Sequence, residues 1–212
     1  MNFKKLSVLF CSLLALTSVM AVSAAETETV SETEAASAEE STVSVADGET
    51  EYPITIQHAY GETVIESKPE RIATVGWENQ DTPLALGIAP VGVSAANYGM
   101  VTENNLHPWT DEAFQELGVD APNVFDDVDG LDFEAISDTN PDVILASYSG
   151  LTQEDYDTLT QIAPVIPYKE AAWQTTWREQ TIENAEGMGM KAEGEAKVAE
   201  VDALIQEKLA EH

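Results

Sequence analysis

Cysteine is nearly absent from this 212-residue chain, and cations are scarce: one Cys, three His, and 9 Lys+Arg against 39 Asp+Glu, for a formal net charge of −30. A single Cys, Cys11, excludes an intrachain disulfide and any cysteine-clustered zinc or iron–sulfur site. The three His, His58, His107 and His212, stand far apart, so no histidine-based metal site is expected. So few cations cannot neutralise a run of phosphates, which argues against nucleic acid and against a basic patch on anionic lipid. Phosphate-loop, Gly-x-Ser-x-Gly and His-Glu-x-x-His patterns are missing as well, so the common nucleotide, hydrolase and metalloprotease signatures do not apply. Gly187-Met188-Gly189 lacks the third glycine of a dinucleotide turn.

What is present divides the chain. Lys4 and Lys5 precede an uncharged apolar run, Leu6 to Val22, and Val22-Ser23-Ala24-Ala25 offers small residues for cleavage. Residues 1–25 read as a secretory signal peptide, which makes the protein exported, to the periplasm or the outer face of the cytoplasmic membrane. Cys11 lies inside the apolar run behind bulky Leu9-Phe10, which disfavours a lipid anchor there. Residues 26–51 carry nine acids, no base and little apolar surface, the composition of a disordered tether.

From Tyr52 the pattern becomes that of a folded unit. Ile54-Thr55-Ile56 and Thr63-Val64-Ile65 flank Tyr60-Gly61 and predict a β-hairpin. Short apolar strands are expected at Ile72–Val75, Val91–Val93, Asn123–Phe125, Val143–Ala146 and Val165-Ile166. Helices are expected at Thr82–Leu86, closed by Gly87, at Phe133–Ser137 and at Gln153–Ile162. This alternation predicts an α/β fold: an open parallel sheet flanked by helices, with a leading β-hairpin and a long C-terminal helix over 191–212. That helix carries an apolar stripe at Val198, Val201, Leu204, Ile205 and Leu209.

In open parallel sheets a ligand sits beyond the carboxyl ends of the strands. Aromatics follow each of four strand ends: Trp77 beside Glu78, Tyr98, Tyr148 beside Ser149, and Tyr168 with Trp173 and Trp177. Stiff rings with polar edges suit a bulky organic ligand, although any one of them serves equally well to cap the core. The acids Asp126, Asp127, Asp129 and Asp132 fit no defined metal loop and read as a solvated turn.

The order Tyr60-Gly61-Glu62-Thr63-Val64-Ile65, Lys68-Pro69-Glu70-Arg71-Ile72-Ala73-Thr74-Val75, then Leu84 to Val93, resembles the opening of periplasmic-binding proteins for ferric siderophores. Leu131-Asp132-Phe133-Glu134-Ala135-Ile136 and Asn140-Pro141-Asp142-Val143-Ile144-Leu145 resemble the segments that follow, as does Ile162-Ala163-Pro164-Val165. The resemblance implies a solute-binding protein of an ABC importer, without catalysis or a resident cofactor. Residues 52–190 would form its amino-terminal lobe and 191–212 the helix leading to a second lobe that the chain does not include. It implies a ligand held by Trp77, Glu78, Tyr98, Tyr148, Ser149 and Trp173, and a permease contact at Glu134. With only Lys169 and Arg178 as bases near the expected cleft, a hydroxamate-type ferric siderophore fits better than an anionic tris-catecholate. Two other readings stay open: haem or a corrinoid on the same fold, with Tyr98 or Tyr148 as axial ligand, and a glycan-acting enzyme using Glu78 with the Asp126–Asp129 cluster.

Overall fold

The computed structural model describes residues 50–127 and 129–211. The expected signal peptide and all but the last two residues of the acidic tether lie outside the described residues.

The hairpin forms as expected. β1 (Ile54–His58) and β2 (Gly61–Ile65) pair antiparallel with Ile54 opposite Ile65 and His58 opposite Gly61. Gly61 sits at φ 121°, a turn geometry that side-chain-bearing residues resist. Five parallel strands follow: β3 (Ile72–Thr74), β4 (Val93–Ser94), β5 (Val124–Phe125), β6 (Val143–Ala146) and β7 (Val165–Pro167). β6 lies between β3 and β7, and β4 pairs with β5. The two groups join where the Thr74 N–H donates to Gly92 O at 3.0 Å and the Val91 N–H to Ile72 O at 2.8 Å. The order across the sheet is therefore β5-β4-β3-β6-β7. At Gly92 the Phe125 ring occupies the place of a side chain, since a Cβ there would lie 2.2 Å from its Cζ. On the far edge the hairpin meets β7, with the Ala59 N–H on Tyr168 O at 3.1 Å.

Strand alternation sorts the core into two faces, as a sheet covered on both sides requires. Ala73, Val75, Ile144, Ala146 and Val165 pack on one face with Ile136, Tyr156 and Leu159. Ile72, Val143, Leu145 and Ile166 pack on the other against Ile56, Ile65 and Met188.

The helices are α1 (Asp81–Ala85), α2 (Pro108–Glu116), α3 (Phe133–Asp138), α4 (Gln153–Leu159), α5 (Trp177–Gly187) and α6 (Lys191–Ala210). α1 is followed by Gly87 at φ 78°, as its place after the helix suggested. α4 ends three residues sooner than its periodicity predicted, because Thr160 to Ile162 close into a turn before Pro164. α2 was not anticipated; Pro108 at its first turn has a fixed φ suited to that position, and Phe114 is its buried anchor. Capping boxes start α4 at Thr152 and α5 at Thr176.

α6 spans the predicted twenty residues, about 30 Å at the usual helical rise. Its first half packs on α5, where Gly194 comes so close that a Cβ would meet the Ala185 Cβ at 2.4 Å. Only Gly194 and Val198 are buried, while Leu204, Ile205 and Leu209 stand exposed on the second half. No helix among the described residues is long and apolar enough to cross a membrane.

The motif at 68–71 and 140–142 has a structural basis. The Asp142 carboxylate accepts from the Glu70 and Arg71 backbone N–H groups, each at 2.9 Å. Arg71 returns its guanidinium to the Asn140 carbonyl at 2.8 Å and to that of Thr139. These bonds tie the start of β3 to the start of β6, so the ends of both strands emerge at matched height.

Candidate functional site

Above those strand ends lies a continuous row of rings. Trp173 stands 5.4 Å from Trp77 and 5.4 Å, edge-on, from Tyr148; Trp77 stands 5.1 Å from Tyr98. Tyr98 continues to His107 at 4.5 Å, and His107 stacks on Trp109 at 4.5 Å and 12°. Trp77, Tyr98 and Trp173 keep 40–46% of their surface open, unlike rings that cap a core. The row forms a ledge rather than a plug.

Backbone geometry sets this ledge. Gly76, directly after β3, sits at φ 82° with Tyr148 O and Ser149 Cβ within 2.9 Å of where its own Cβ would be. Glu78 and Trp173 adopt left-handed conformations at φ 59° and 61°, uncommon for residues with side chains and concentrated at functional sites. Gly150 lets the Trp173 indole lie flat on the chain, since a Cβ there would fall 2.7 Å from the ring.

Beneath the rings, Asn79 is the hub of a fully buried amide network. Its Nδ2 donates to Val75 O at 2.8 Å and Tyr148 O at 3.0 Å. Its Oδ1 accepts from Asn184 Nδ2 at 3.0 Å and from the Tyr148 N–H at 3.2 Å. Gln180 adds a bond to Trp77 O at 3.0 Å, so α5 holds the loop after β3 from below.

Two cavities open beside the ledge. One of about 290 Å³ is lined by Trp77, Asn97, Asp127, Leu131 and Trp173, among others. The other, about 480 Å³, lies between Glu78, Asp81, Tyr148, Trp177 and Lys197. Among the described residues no cation lines the first cavity. The two bases expected nearby are both engaged: Lys169 lies 3.4 Å from Glu183, and Arg178 forks onto Asp202 while its guanidinium sits 4.3 Å over the Trp177 ring.

The six residues singled out from sequence fare differently. Trp77, Tyr98, Tyr148 and Trp173 come together in the row. Glu78 joins them as a hydrogen-bond acceptor for the Tyr98 hydroxyl, with His107 Nε2 at 3.8 Å. Ser149 is 1% exposed and its hydroxyl turns inward to Ala146 O at 2.7 Å, so it serves as wall rather than as a free donor. Tyr168 leaves the strand-end set altogether; it is buried beside Tyr60 and donates to Leu151 O at 3.0 Å, and Trp173 faces outward at that edge. Glu134 is exposed in the first turn of α3, three residues after Leu131, which lines the first cavity.

Sequence reasoning missed His107, Trp109 and Asp81. His107 was read as isolated, yet it is 3% exposed and enclosed by Tyr98, Trp109 and Glu78. The available signal was His107-Pro108-Trp109 itself, two rings flanking a helix-starting proline. Charge is tuned here too. The hydrogen bond to Glu78, then burial, push the Tyr98 phenol up to about 12. Burial, then the Glu78 charge and a hydrogen bond shared with it, raise the Asp81 carboxyl to about 7. Asp81 still presents an open surface to solvent, so water weakens the burial contribution and the nearness of Glu78 is the firmer cause. Burial also lifts the Asp127 carboxyl, against a hydrogen bond from Ser94 that lowers it.

Residues 72–208 match the family model described as periplasmic binding protein. A probable siderophore-binding lipoprotein of Bacillus subtilis, YfiY, is 28% identical over 162 residues, covering 72% of this chain and 44% of its own length. The structure of Streptococcus pneumoniae PiaA in complex with ferrichrome is 51% identical with a TM-score of 0.72, covering 75% of this chain and 52% of that one. Staphylococcus aureus SirA complexed with staphyloferrin B is 26% identical with a TM-score of 0.57, covering 71% and 47% respectively. The chain thus spans about half the length of these relatives. With the matched segment taking in more than half of the sequence and running from β3 nearly to the end of α6, the chain belongs to the periplasmic binding protein family.

Proposed function

We propose that this chain supplies one ligand-contacting lobe of a solute-binding protein that captures a ferric siderophore for an ABC importer, and that the chelate is of hydroxamate type. The observation that carries this reading is the ledge: four exposed or half-exposed rings, Tyr148, Trp173, Trp77 and Tyr98, contiguous over the ends of a parallel sheet. Such a surface offers stiff apolar area and few charges to a ligand with an organic shell. Three hydroxamates neutralise ferric iron, whereas three catecholates leave the complex strongly anionic. A ledge whose nearby cations are already paired with carboxylates suits the neutral complex. The likeness to PiaA bound to ferrichrome supports the same class. Haem is less well served, because the Tyr98 hydroxyl is committed to Glu78 and His107 is enclosed. Glu134, exposed in the first turn of α3, is the proposed permease contact.

Ferrichrome titration followed by tryptophan fluorescence tests the reading. Quenching that saturates is expected, with affinity reduced at least tenfold in Trp173→Ala, about the loss of one buried aromatic contact. A single lobe encloses less of the ligand than two, so binding should be weaker than in a two-lobed relative. No quenching by any ferric hydroxamate would overturn the proposal.

A further inference from the structure

The first cavity beside the ledge, about 290 Å³, is one-sided in its charge. Trp77 and Trp173 wall part of it with ring centroids 5.4 Å apart, and the face of an indole is electron-rich. Two carboxylates, Asp127 and Asp155, line it as well, and among the described residues no Lys, Arg or His does.

The two acids differ in what already satisfies them. Asp155 belongs to the capping box of α4, accepting from the Thr152 N–H at 2.9 Å and from the Thr152 hydroxyl at 2.7 Å. The first turn of a helix is a favourable place for its charge. Asp127 has no comparable setting. It lies in the loop after β5, and its side-chain partner is the Ser94 hydroxyl, whose oxygen in turn accepts from the Gly76 N–H at 3.0 Å. None of the ion pairs among the described residues includes Asp127. It is half-buried, and burial pushes its carboxyl up, the mark of a charge short of water.

A ligand that fills this cavity covers the water that Asp127 retains. An anionic group there would meet a like charge. A neutral apolar group would strip the carboxylate of water and put no partner in its place. An ammonium group supplies the opposite charge, several N–H donors, and a cation for the faces of Trp77 and Trp173.

We propose that this cavity receives a positively charged group on the organic shell of the ligand, so that Asp127 is a specificity-determining residue favouring ferric hydroxamates that carry a protonated amine. The iron centre of such a chelate stays neutral against the ledge, and the charge sits on a side arm that enters the cavity. This inference rests on the hydroxamate reading above and adds to it the charge of the ligand.

A matched pair of linear trihydroxamates tests it: ferrioxamine B, whose terminal amine is protonated, and N-acetylferrioxamine B, which is neutral and otherwise alike. Tryptophan fluorescence titrations, with ferrichrome alongside, should show wild type binding the cation about fivefold more tightly than its acetylated form, as a partly open ion pair allows. Asp127→Asn should close the gap to within about twofold by weakening the cation. It should bind the two neutral chelates at least as tightly as wild type, because an amide loses less than a carboxylate when water leaves; a misfolded variant would lose all three. Asp129→Asn, which removes an equal charge from the same loop, should keep the preference. Raising NaCl from about 50 to about 500 mM should shrink the preference of wild type. Saturable quenching by all three chelates without any preference in wild type overturns the inference and leaves the ligand reading standing. A preference that Asp127→Asn retains, or that Asp129→Asn erases equally, overturns it in the same way. Quenching by none of the three overturns both.

Discussion

Replacing Asn79 by Ala should cost this small domain a large share of its stability. Asn79 is 0% exposed and bonds to the ends of β3 and β6 and to α5 at once. The substitution leaves two buried donors short of an acceptor: the Tyr148 N–H, bonded at 3.2 Å, and one Asn184 N–H, bonded at 3.0 Å, whose other contact on Asn79 O is a stretched 3.5 Å. Ser147 and Gln180 keep alternative partners, Asn184 Oδ1 at 2.9 Å and Trp77 O at 3.0 Å, and so add little. At about 1–3 kcal/mol for each of these two donors, and with the Val75 carbonyl also losing its 2.8 Å donor, the expected loss is at least about 3–4 kcal/mol. That is a sizeable part of the 5–15 kcal/mol typical of a whole domain. Urea unfolding by far-ultraviolet circular dichroism should show the midpoint fall with an unchanged slope. Because the Asn79 amide holds the Tyr148 backbone, and the Trp77 N–H in turn donates to Tyr148 O at 3.2 Å, ferrichrome affinity should fall as well, even in conditions where the variant is fully folded. A loss below about 1 kcal/mol would refute the idea that this network, rather than the strand ladder, holds the ledge.

Gly194→Ala should destabilise by about 1–2 kcal/mol, since overpacking against the rigid Ala185 Cβ at 2.4 Å outweighs the roughly 1 kcal/mol gained from helix propensity; thermal unfolding reads the sign, and a stabilised variant would contradict the close α5–α6 contact. Thr176→Ala removes the hydroxyl half of the capping box that starts α5, the Thr176 Oγ1 that accepts from the Glu179 N–H at 3.4 Å and donates to the Glu179 carboxylate at 2.7 Å, and should cost about 1 kcal/mol in urea unfolding. Asp81→Asn should also change stability with a definite sign. A carboxyl raised from its ordinary value toward about 7 favours the native state fully at acid pH and loses that contribution as pH rises through 7. The variant should therefore match wild type near pH 8 less closely than near pH 4, melting higher at the alkaline end, and parallel melting curves at both pH values would contradict the raised carboxyl.

Particular residues show how far the sequence reached. Val143–Ala146 is an apolar run of strand length between Pro141 and Ser147-Tyr148, and it forms a fully buried inner strand between β3 and β7. Tyr60-Gly61 marked a turn by chemistry that acts within a few residues, and the hairpin formed there. The motif residues Arg71 and Asp142 were recognisable as a pattern; their physical role, joining the starts of β3 and β6, became visible only across some seventy residues of separation. Ser149 and Tyr168 could be placed at strand ends from the sequence, but strand-end position says nothing about which way a loop side chain turns. The Ala146 carbonyl drew in the first, and the Tyr60 and Leu151 contacts drew in the second.

Local sequence alone determined the hairpin, the succession of strands, the α/β class and the long final helix, though not α2 or α5, because periodicity and turn chemistry operate over a few residues. The acidic balance was equally fixed by composition, and with it the shortage of cations near the ledge. Tertiary structure decided which side chains meet. Trp77, Tyr98, Tyr148 and Trp173 come from four different strand ends, and they touch only because the sheet runs β5-β4-β3-β6-β7 with β3 and β6 side by side. His107 and Trp109 reach the row because α2 folds back over the loop that follows β4. The pairing of Glu78 with Tyr98 depends on a left-handed backbone at residue 78, a conformation imposed by packing that no residue-by-residue preference would select for glutamate.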